Sequence, residues 1–393
     1  MGRRGESPGF LLTKDRRRMS LPVSPNDPVN ARILSVAEDR VEGFRFRPFD
    51  AVAEASGVGA GVVLARLRAM LEAGVVRRVR QTLQTARLAR GALVAWRLPE
   101  ERLRAAWLWL KRNDPFTGHI VIRRAEGRVP GEEYRLWTTL KVPAGCNTPE
   151  GHCRLVSRFI GAESWALLPA KGVFVLGVGH VRRRGLRPGD RLPRPAGMRT
   201  LRPLVLSPGE WRVLLALKEP LAPGEMVPEP WSGRAGRLGL SPGEFRRAAE
   251  ELDGKGALGR FAVFLEHVRV RSADGPVTGY NGLFHWTVPR GMEERAGGEC
   301  GRHLCMTHCY WRTGAGPLFG GAQIMGVVHG SCREEVFAHK AAIDAHLARC
   351  GVPVLHTAVF RSELSEVRPS ELSPDVYRSW LAGVSGGALR SSS

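Results

Sequence analysis

The apolar positions of the chain predict the same series of helices and strands twice. In the first half, apolar residues at helical spacing predict helices over residues 28–38, 48–55 and 60–72. A glycine at Gly74 then turns the chain into an extended run. Three short helices followed by such a strand are typical of a winged helix-turn-helix module.

The second half repeats this module. Helices are predicted over residues 207–217, 230–238 and 241–253, and an extended run over 257–265. Ser241 is a good helix N-cap because Glu244 stands at the position that completes a capping box. Gly256 occupies the place that Gly74 has in the first half.

Each module is followed by a strand, a helix, two strands, a helix and a last strand. In the first half these elements are predicted over residues 82–98, 100–111, 118–124, 133–142, 148–160 and 173–181. In the second half they are predicted over residues 282–288, 290–299, 306–312, 323–329, 333–348 and 352–360. The order β-α-β-β-α-β is that of a ferredoxin-like domain. The expected fold class is therefore α+β, a tandem repeat of a winged helix-turn-helix and a ferredoxin-like domain.

These patterns divide the chain into seven segments. The predicted segments are a basic tail (1–27), winged helix 1 (28–81), ferredoxin-like domain 1 (82–186), a linker (187–203), winged helix 2 (204–268), ferredoxin-like domain 2 (269–364) and a C-terminal tail (365–393).

The charge of the chain indicates a polyanionic partner without naming it. The 393 residues include 59 lysines and arginines against 38 acidic residues, a formal net charge of +21. Only seven of the basic residues are lysines, a bias that GC-rich coding also produces. Such a surplus attracts nucleic acid, acidic lipid or a small molecule with many carboxylates.

Membrane insertion and secretion are not expected. No stretch reaches the roughly 18–20 apolar residues of a membrane helix, and residues 1–20 lack the apolar core of a signal peptide. We therefore expect a cytoplasmic protein with reduced thiols, and its seven cysteines fit that compartment. Cys300, His303, Cys305, His308 and Cys309 lie close together without the second ligand pair of a usual zinc site. We predict no dedicated metal site, and the spacing leaves open whether this cluster binds a metal.

A histidine and an arginine four residues apart recur at matching places in the two halves. The pairs are His119 with Arg123 and His308 with Arg312. Because side chains alternate along a strand, both members of each pair point to the same sheet face.

The residues around these pairs resemble the siroheme decarboxylases, an enzyme branch of the Lrp/AsnC layout. Residues 306–312 (MTHCYWR) and 324–330 (IMGVVHG) are similar to two strands of one subunit type. Residues 260–267 (RFAVFLEH) and 280–289 (YNGLFHWTVP) resemble the wing and another strand of that subunit. Residues 118–123 (GHIVIR) and 134–140 (YRLWTTL) are similar to the other subunit type, with Lys141 in the place that His329 has in the second half. The resemblance covers most of the chain after residue 27 and implies a fusion of two normally paired subunits.

The resemblance implies removal of CO₂ from two acetate side chains of siroheme, giving 12,18-didecarboxysiroheme for haem d1 or an alternative haem route. The iron tetrapyrrole is then the substrate, and no dedicated cofactor is expected. Arginine is suited to its eight carboxylates, and a histidine is suited to protonate the carbon that loses CO₂.

Site residues follow from this reading. The expected catalytic residues are His308, His267 and Arg312. The expected substrate-binding residues are His119, Arg123, Arg124, Arg135, Trp137, Arg78, Asn281, Tyr310 and His329. An axial contact to the substrate iron is expected from His119 or His308. Each side chain also has an ordinary alternative, such as core packing for His308 and Trp137.

Two other function classes stay open at this point. A DNA-binding regulator would explain the winged helices and the charge. However, of the two helices that would enter the major groove, one begins with glycine, alanine and valine, and the other has a glutamate in its first turn. A tetrapyrrole sensor would use the same residues without turnover. We expect the two halves to pair within one chain as an internal pseudo-heterodimer, with a homodimer as the alternative.

Overall fold

The computed structural model describes residues 21–177, 179–200, 202–266 and 278–385. Its α-helices within these ranges are α1 (Pro28–Ala37), α2 (Pro48–Ser56), α3 (Ala60–Glu72), α4 (Thr85–Leu88), α5 (Leu103–Asn113), α6 (Pro149–Ile160), α7 (Pro208–Lys218), α8 (Ser232–Arg237), α9 (Pro242–Gly254), α10 (Glu293–Gly301), α11 (Arg333–Arg349) and α12 (Pro374–Ser385). Its strands are β1 (Val41–Glu42), β2 (Val76–Leu83), β3 (Ala89–Arg97), β4 (Thr117–Ala125), β5 (Leu136–Pro143), β6 (Ser164–Leu176), β7 (Arg199–Thr200), β8 (Leu258–Leu265), β9 (Tyr280–Thr287), β10 (Met306–Arg312), β11 (Ile324–Gly330) and β12 (His356–Val367).

Local sequence accounts for the ends of the helices that precede the two wing strands. The Ser241 hydroxyl accepts a hydrogen bond from the Glu244 N–H, and the Glu244 carboxylate accepts one from the Ser241 N–H at 2.8 Å, so α9 begins in a complete capping box. Gly74 and Gly256 follow α3 and α9 with φ of 72° and 69°. Glycine adopts this left-handed conformation without strain, which lets the chain leave the helix and enter the strand.

Eight strands form one closed antiparallel barrel. Their order around the barrel is β10-β11-β9-β12-β4-β5-β3-β6, and β6 pairs with β10 to close it. Two long strands join the halves of the chain. The first part of β12 pairs with β9 and the second part with β4, while β6 pairs first with β3 and then with β10.

The predicted fold class, a tandem repeat of winged helix-turn-helix and ferredoxin-like domains, is therefore wrong. Two separate sheets were expected, with last strands over residues 173–181 and 352–360. Instead β6 begins at Ser164 and β12 continues to Val367, and the added residues supply the pairing partners for neighbouring strands. Among the described strands, closure leaves the barrel without an exposed edge, and the pairing of strands from distant segments leaves no local pattern in the sequence. The residue bounds of the individual domains stay a prediction.

The two predicted wings share one small sheet. In the order β1-β8-β2, the strand β8 from the second half lies between two strands from the first half. Helices from both halves surround this sheet and share one apolar core with it. The wings therefore do not belong to two independent modules.

The barrel carries helices on its outer face. On one side α5 and α6 from the first half and the C-terminal helix α12 cover an apolar core that includes Ile120, Ile122 and Leu136. In the second half α10 and α11 cover a core that includes Phe284 and Cys309. Because strand residues alternate, the residues between these face the barrel interior.

No single helix in the described residues is long and apolar enough to cross a membrane. Within the described ranges one pair of helices, α2 and α3, reaches the required length and composition when counted together, and the two meet at a bend of 107°.

Candidate active site

Strand alternation places a set of polar side chains inside the barrel. Ile120 and Ile122 pack outward, so their neighbours on β4 face inward, and the same argument applies to β5, β9, β10 and β11. The inward-facing polar residues are His119, Arg123, Thr139, Lys141, Asn281, His285, His308, Tyr310, Arg312 and His329.

The far end of the barrel is closed by an apolar plug. Trp137 and Phe319 pack with their ring centroids 5.3 Å apart, and Phe360 lies 5.6 Å from Trp137. Trp137 is 1% exposed, and its indole N–H donates to the Tyr134 carbonyl at 2.6 Å. The structure thus places Trp137, predicted to bind substrate, within this plug.

The opposite end, which we call the mouth, holds the two predicted histidines. His119 lies at the start of β4 opposite Val367 at the end of β12, and His308 lies at the start of β10 opposite Leu176 at the end of β6. The two histidines come from different halves of the chain, and the barrel brings them to the same end. His329 lies at this end as well, on the last part of β11.

The small sheet β1-β8-β2 covers the mouth with arginines. Arg78 donates to the Val367 carbonyl at 3.4 Å, and Arg260 donates to the Leu176 carbonyl at 3.1 Å. The guanidinium groups of Arg78 and Arg80 lie 5.5 and 5.4 Å from the Phe264 ring centroid. We call Arg78, Arg80, Arg260 and Phe264 the roof.

Arg312 lies deeper in the barrel. Its guanidinium donates to the Leu168 carbonyl at 2.8 Å and stacks over the Tyr310 ring at 4.5 Å, while its Nε has no hydrogen-bond partner. Burial lowers the pKa of Arg312 to about 10, since removal from water disfavours the charged form. Burial also raises the pKa of the Tyr310 hydroxyl.

Arg123 occupies the corresponding position on β4. Its guanidinium donates to the Asn281 side-chain oxygen at 3.4 Å and to the Phe360 carbonyl at 3.3 Å. Burial lowers the pKa of Arg123 to about 10. The Asn281 amide in turn lies 3.3 Å from Nδ1 of His329, whose ring contacts His180 with the centroids 5.1 Å apart. Arg123, Asn281 and His329 therefore form a polar chain along the wall of the barrel.

Lys141 adds a further cation. It lies near the end of β5 on the inward face, directly opposite Gly91 of β3. Burial, together with the nearby Arg312 charge, lowers the pKa of its ammonium group to about 8. The structure thus brings cations from both halves into one compartment.

His308 is held as a neutral imidazole in this environment. Its Nδ1 lies 3.1 Å from the Thr307 hydroxyl. Burial lowers the pKa of His308 to about 3, and His119 and the surrounding arginines contribute in the same direction. A carboxylate placed beside it would reverse these repulsions and raise its proton affinity.

The structure does not bring Arg124 and Arg135 into the barrel. Arg135 pairs with Glu100 at 2.6 Å and with Glu363 at 2.7 Å, and Arg124 pairs with Glu363 at 2.7 Å. Both arginines line a cleft of about 690 Å³ on the outside of the barrel. His267 lies outside the described residues.

Four polar side chains of the site escaped the sequence analysis as functional candidates. They are Arg80, Arg260, Lys141 and His285. A period-two pattern of arginines, Arg78 and Arg80 on one strand, could have indicated a cationic strand face. His285 left no such signal, because its place among Trp137, Phe319 and Phe360 depends on barrel closure.

Comparison with known proteins agrees with this arrangement. No family model matches the chain. A curated siroheme decarboxylase from Hydrogenobacter thermophilus is 23% identical over 292 residues, which cover 74% of this chain and 80% of that protein. The chain is a homologue of the siroheme decarboxylases. The family resemblance predicted from the sequence is thereby confirmed.

Two solved structures share the fold. The crystal structure of the siroheme decarboxylase NirDL has a TM-score of 0.62 and 21% identity, and the match covers 90% of this chain and 98% of that one. Its co-complex with an iron-uroporphyrin III analogue also has a TM-score of 0.62, with 20% identity over 92% and 99% of the two chains. This chain therefore shares its fold with these siroheme decarboxylase structures over nearly its whole length.

Proposed function

We propose that this chain decarboxylates acetate side chains of siroheme. One observation carries the proposal: six cationic side chains converge on the barrel mouth and interior, namely Arg78, Arg80, Arg123, Lys141, Arg260 and Arg312. Within the described part of the chain, none of the six forms an ion pair with a carboxylate. The Nε atoms of Arg78, Arg80, Arg260 and Arg312 are buried without a hydrogen-bond partner.

These buried and unpaired cations lower the stability of the folded chain unless a ligand supplies their missing partners. A buried cation loses its hydration, and an unmade hydrogen bond adds to that cost. A ligand with many carboxylates supplies acceptors for the free guanidinium edges, in the bidentate geometry that arginine favours. Siroheme has that chemistry, and the solved co-complex of NirDL holds an iron-uroporphyrin III analogue.

The reaction needs a site for CO₂ loss and a proton donor. The C–C bond to the acetate carboxylate breaks, CO₂ leaves, and the electron pair stays on the former methylene carbon. A proton then adds to that carbon and gives a methyl group. The macrocycle spreads the negative charge during this step, so no dedicated cofactor is needed and the iron belongs to the substrate.

His308 is our choice of proton donor. It is neutral in the empty site because burial and neighbouring cations lower its pKa. Substrate carboxylates neutralise those cations, so His308 gains a proton as the substrate binds. Arg312 and Arg123 hold carboxylates that are retained, and the plug around Phe319 keeps water from one side of the site.

The product would be 12,18-didecarboxysiroheme, a precursor for haem d1 or an alternative haem route. Since strands from both halves build one barrel, we propose that a single chain contains the complete site. This proposal corresponds to the internal pseudo-heterodimer that the sequence predicts.

Anaerobic incubation of the purified chain with siroheme tests the proposal. We expect two successive losses of CO₂ by mass spectrometry, with a monodecarboxylated intermediate. Arg124→Met is the matched control, because this arginine lies outside the barrel and should leave turnover unchanged. A tight spectral complex with unchanged siroheme would instead identify a sensor. The absence of any complex, together with a gel shift on DNA, would favour a regulator.

A further inference from the structure

Two helices on the outside of the barrel present ligand-type side chains to each other. Glu299 on α10 and His303 just after it are four residues apart, and so are His346 on α11 and Cys350 at its end. Residues four apart lie on the same face of a helix, which places His346 and Cys350 together, while His303 lies in the turn that follows α10; α10 packs against α11. The two pairs therefore meet between the helices.

Three of these side chains already lie within coordination reach of one another. Nε2 of His346 is 2.6 Å from a Glu299 carboxylate oxygen and 3.4 Å from the Cys350 sulfur. One ligand atom from each of the three residues lies within 4.8 Å of the other two. Arg302 donates to the Glu299 carboxylate at 3.0 Å, an outer contact of the kind that orients carboxylate ligands.

His303 supplies an independent observation. It is 2% exposed, and neither of its ring nitrogens has a hydrogen-bond partner. Its ring lies 5.1 Å from the His346 ring at an interplanar angle of 69°. A backbone β-bridge between His303 and Arg191 fixes the segment that carries His303. A buried imidazole with two unsatisfied nitrogens lowers stability, and an ion between the two rings would satisfy one of those nitrogens.

We propose that Glu299, His303, His346 and Cys350 form a structural zinc site. One thiolate, two imidazoles and one carboxylate are typical zinc ligands, and four protein ligands leave no position for substrate. The thiolate favours zinc over the hard cations Mg²⁺ and Ca²⁺. The site would hold α10 and α11 together against the barrel strand that carries His308.

The site differs from the cysteine and histidine cluster of the sequence. Cys300 and Cys309 lie in the apolar core of the second half, where the Cys309 thiol donates to the Gly297 carbonyl at 3.6 Å. His308 points into the barrel. Of the five clustered residues only His303 joins the proposed site, and its three partners are supplied mainly by the distant helix α11.

Metal binding by the full-length chain tests the proposal. The reduced protein is incubated with zinc sulfate, desalted and measured by elemental mass spectrometry, and Co²⁺ is titrated in parallel while thiolate-to-cobalt absorption is recorded. We expect one zinc per chain and a thiolate band on cobalt binding. His303→Ala and Cys350→Ser should weaken binding at least about tenfold, as loss of a metal-site contact does. Cys332→Ser is the control, because this exposed cysteine caps the other end of α11.

Two results would overturn the site. One is a wild-type chain that retains no stoichiometric zinc and shows no thiolate band with cobalt. The other is a Cys350→Ser chain that binds zinc as tightly as the wild type. The wild-type cobalt spectrum decides the question even where His303→Ala fails to fold, and Cys350 is only half-buried, which makes its substitution well tolerated.

Discussion

Gly91 and Lys141 lie directly opposite each other in the antiparallel pair of β3 and β5, and the glycine makes room for the lysine. A Cβ atom on Gly91 would lie 2.6 Å from the Lys141 Nζ and 2.9 Å from the Leu140 carbonyl oxygen. The Lys141 side chain thus passes over β3 at Gly91, where no side chain blocks it. Gly91 fixes the place from which the ammonium group reaches the barrel interior.

Gly91→Ala should displace the Lys141 ammonium and weaken siroheme binding. If Lys141 pairs with a substrate carboxylate, the loss is about 1.5–3 kcal/mol, or roughly 10–100-fold in Kd. Lys141→Met should cause a similar loss of affinity, while Gly91→Ala also lowers the melting temperature because the backbone is crowded. Spectral titration and thermal melts measure both effects.

The control for this pair is Gly61→Ala on α3. A Cβ on Gly61 would meet no atom within 4 Å, and alanine is the better helix former by about 1 kcal/mol. Gly61→Ala should therefore leave siroheme affinity unchanged and raise stability slightly. Wild-type affinity in both Gly91→Ala and Lys141→Met would rule out a role of Lys141 in binding.

Arg312→Met should weaken substrate binding without a matching loss of stability. The arginine is buried, has a free Nε, and forms no ion pair within the described residues, so its charge costs stability in the empty protein. We expect about 1.5–3 kcal/mol less binding free energy, from the loss of a charge-assisted contact. Titration with an iron-uroporphyrin analogue and urea denaturation separate the two quantities.

Arg124→Met is the matched control for that experiment. Arg124 is ion-paired with Glu363 on the outer face, and exposed pairs contribute about 0–1 kcal/mol. Its replacement should leave ligand affinity at the wild-type value. An Arg312→Met chain that binds the analogue as tightly as Arg124→Met would remove Arg312 from the site.

The sequence contained part of this site because strand alternation is local. His119 and Arg123, like His308 and Arg312, are four residues apart, and this even spacing alone puts each pair on one strand face. The structure places all four inside the barrel. The pairing of β12 with β4 and of β6 with β10 is non-local, so the merging of two halves into one barrel could not be predicted from residue patterns.

The same reason explains the residues that were missed or misplaced. Arg124 and Arg135 are arginines of the expected type, but their partners Glu100 and Glu363 come from elements that only the fold brings near them. Lys141 was visible only as the counterpart of His329. The Lys141 ammonium reaches the barrel interior because Gly91, on the neighbouring strand β3, leaves room for it.

His308→Gln should slow catalysis strongly and spare binding. A positioned acid typically contributes 10²–10⁴-fold, so we expect product formation to slow by at least about 100-fold. Affinity for siroheme should stay close to wild type, because the arginines supply the binding energy. Single-turnover mass spectrometry measures the chemical step, and spectral titration measures binding.

His119→Gln provides the comparison for His308→Gln. Both histidines lie at the mouth, but on strands from different halves. If each histidine serves one acetate group, both variants should accumulate a monodecarboxylated product. If His308 serves both groups, only His308→Gln should slow the two losses of CO₂. Full turnover in His308→Gln would contradict its assignment as the proton donor.

His285→Leu should make stability less sensitive to acid. Burial lowers the pKa of His285 from 6.5 to about 3, and Arg123 and Arg312 act in the same direction. The unfolded chain therefore binds a proton between pH 6.5 and 3 that the folded chain does not, so stability falls as the pH falls through this window. Removing the imidazole should flatten the curve by up to about 1.4 kcal/mol per pH unit. The substitution also removes two ring nitrogens that are buried without hydrogen-bond partners, so the free energy of unfolding at neutral pH should rise.

Urea denaturation at pH 8, 7, 6 and 5 measures this effect. Between pH 8 and pH 7, above the ordinary pKa of histidine, the wild type and His285→Leu should show nearly parallel curves, which makes that interval an internal control. Below pH 6.5 the wild type should lose stability faster than the variant. Parallel curves down to pH 5 would mean that His285 takes up its proton in the folded chain as well, and that the barrel interior around it is open to water.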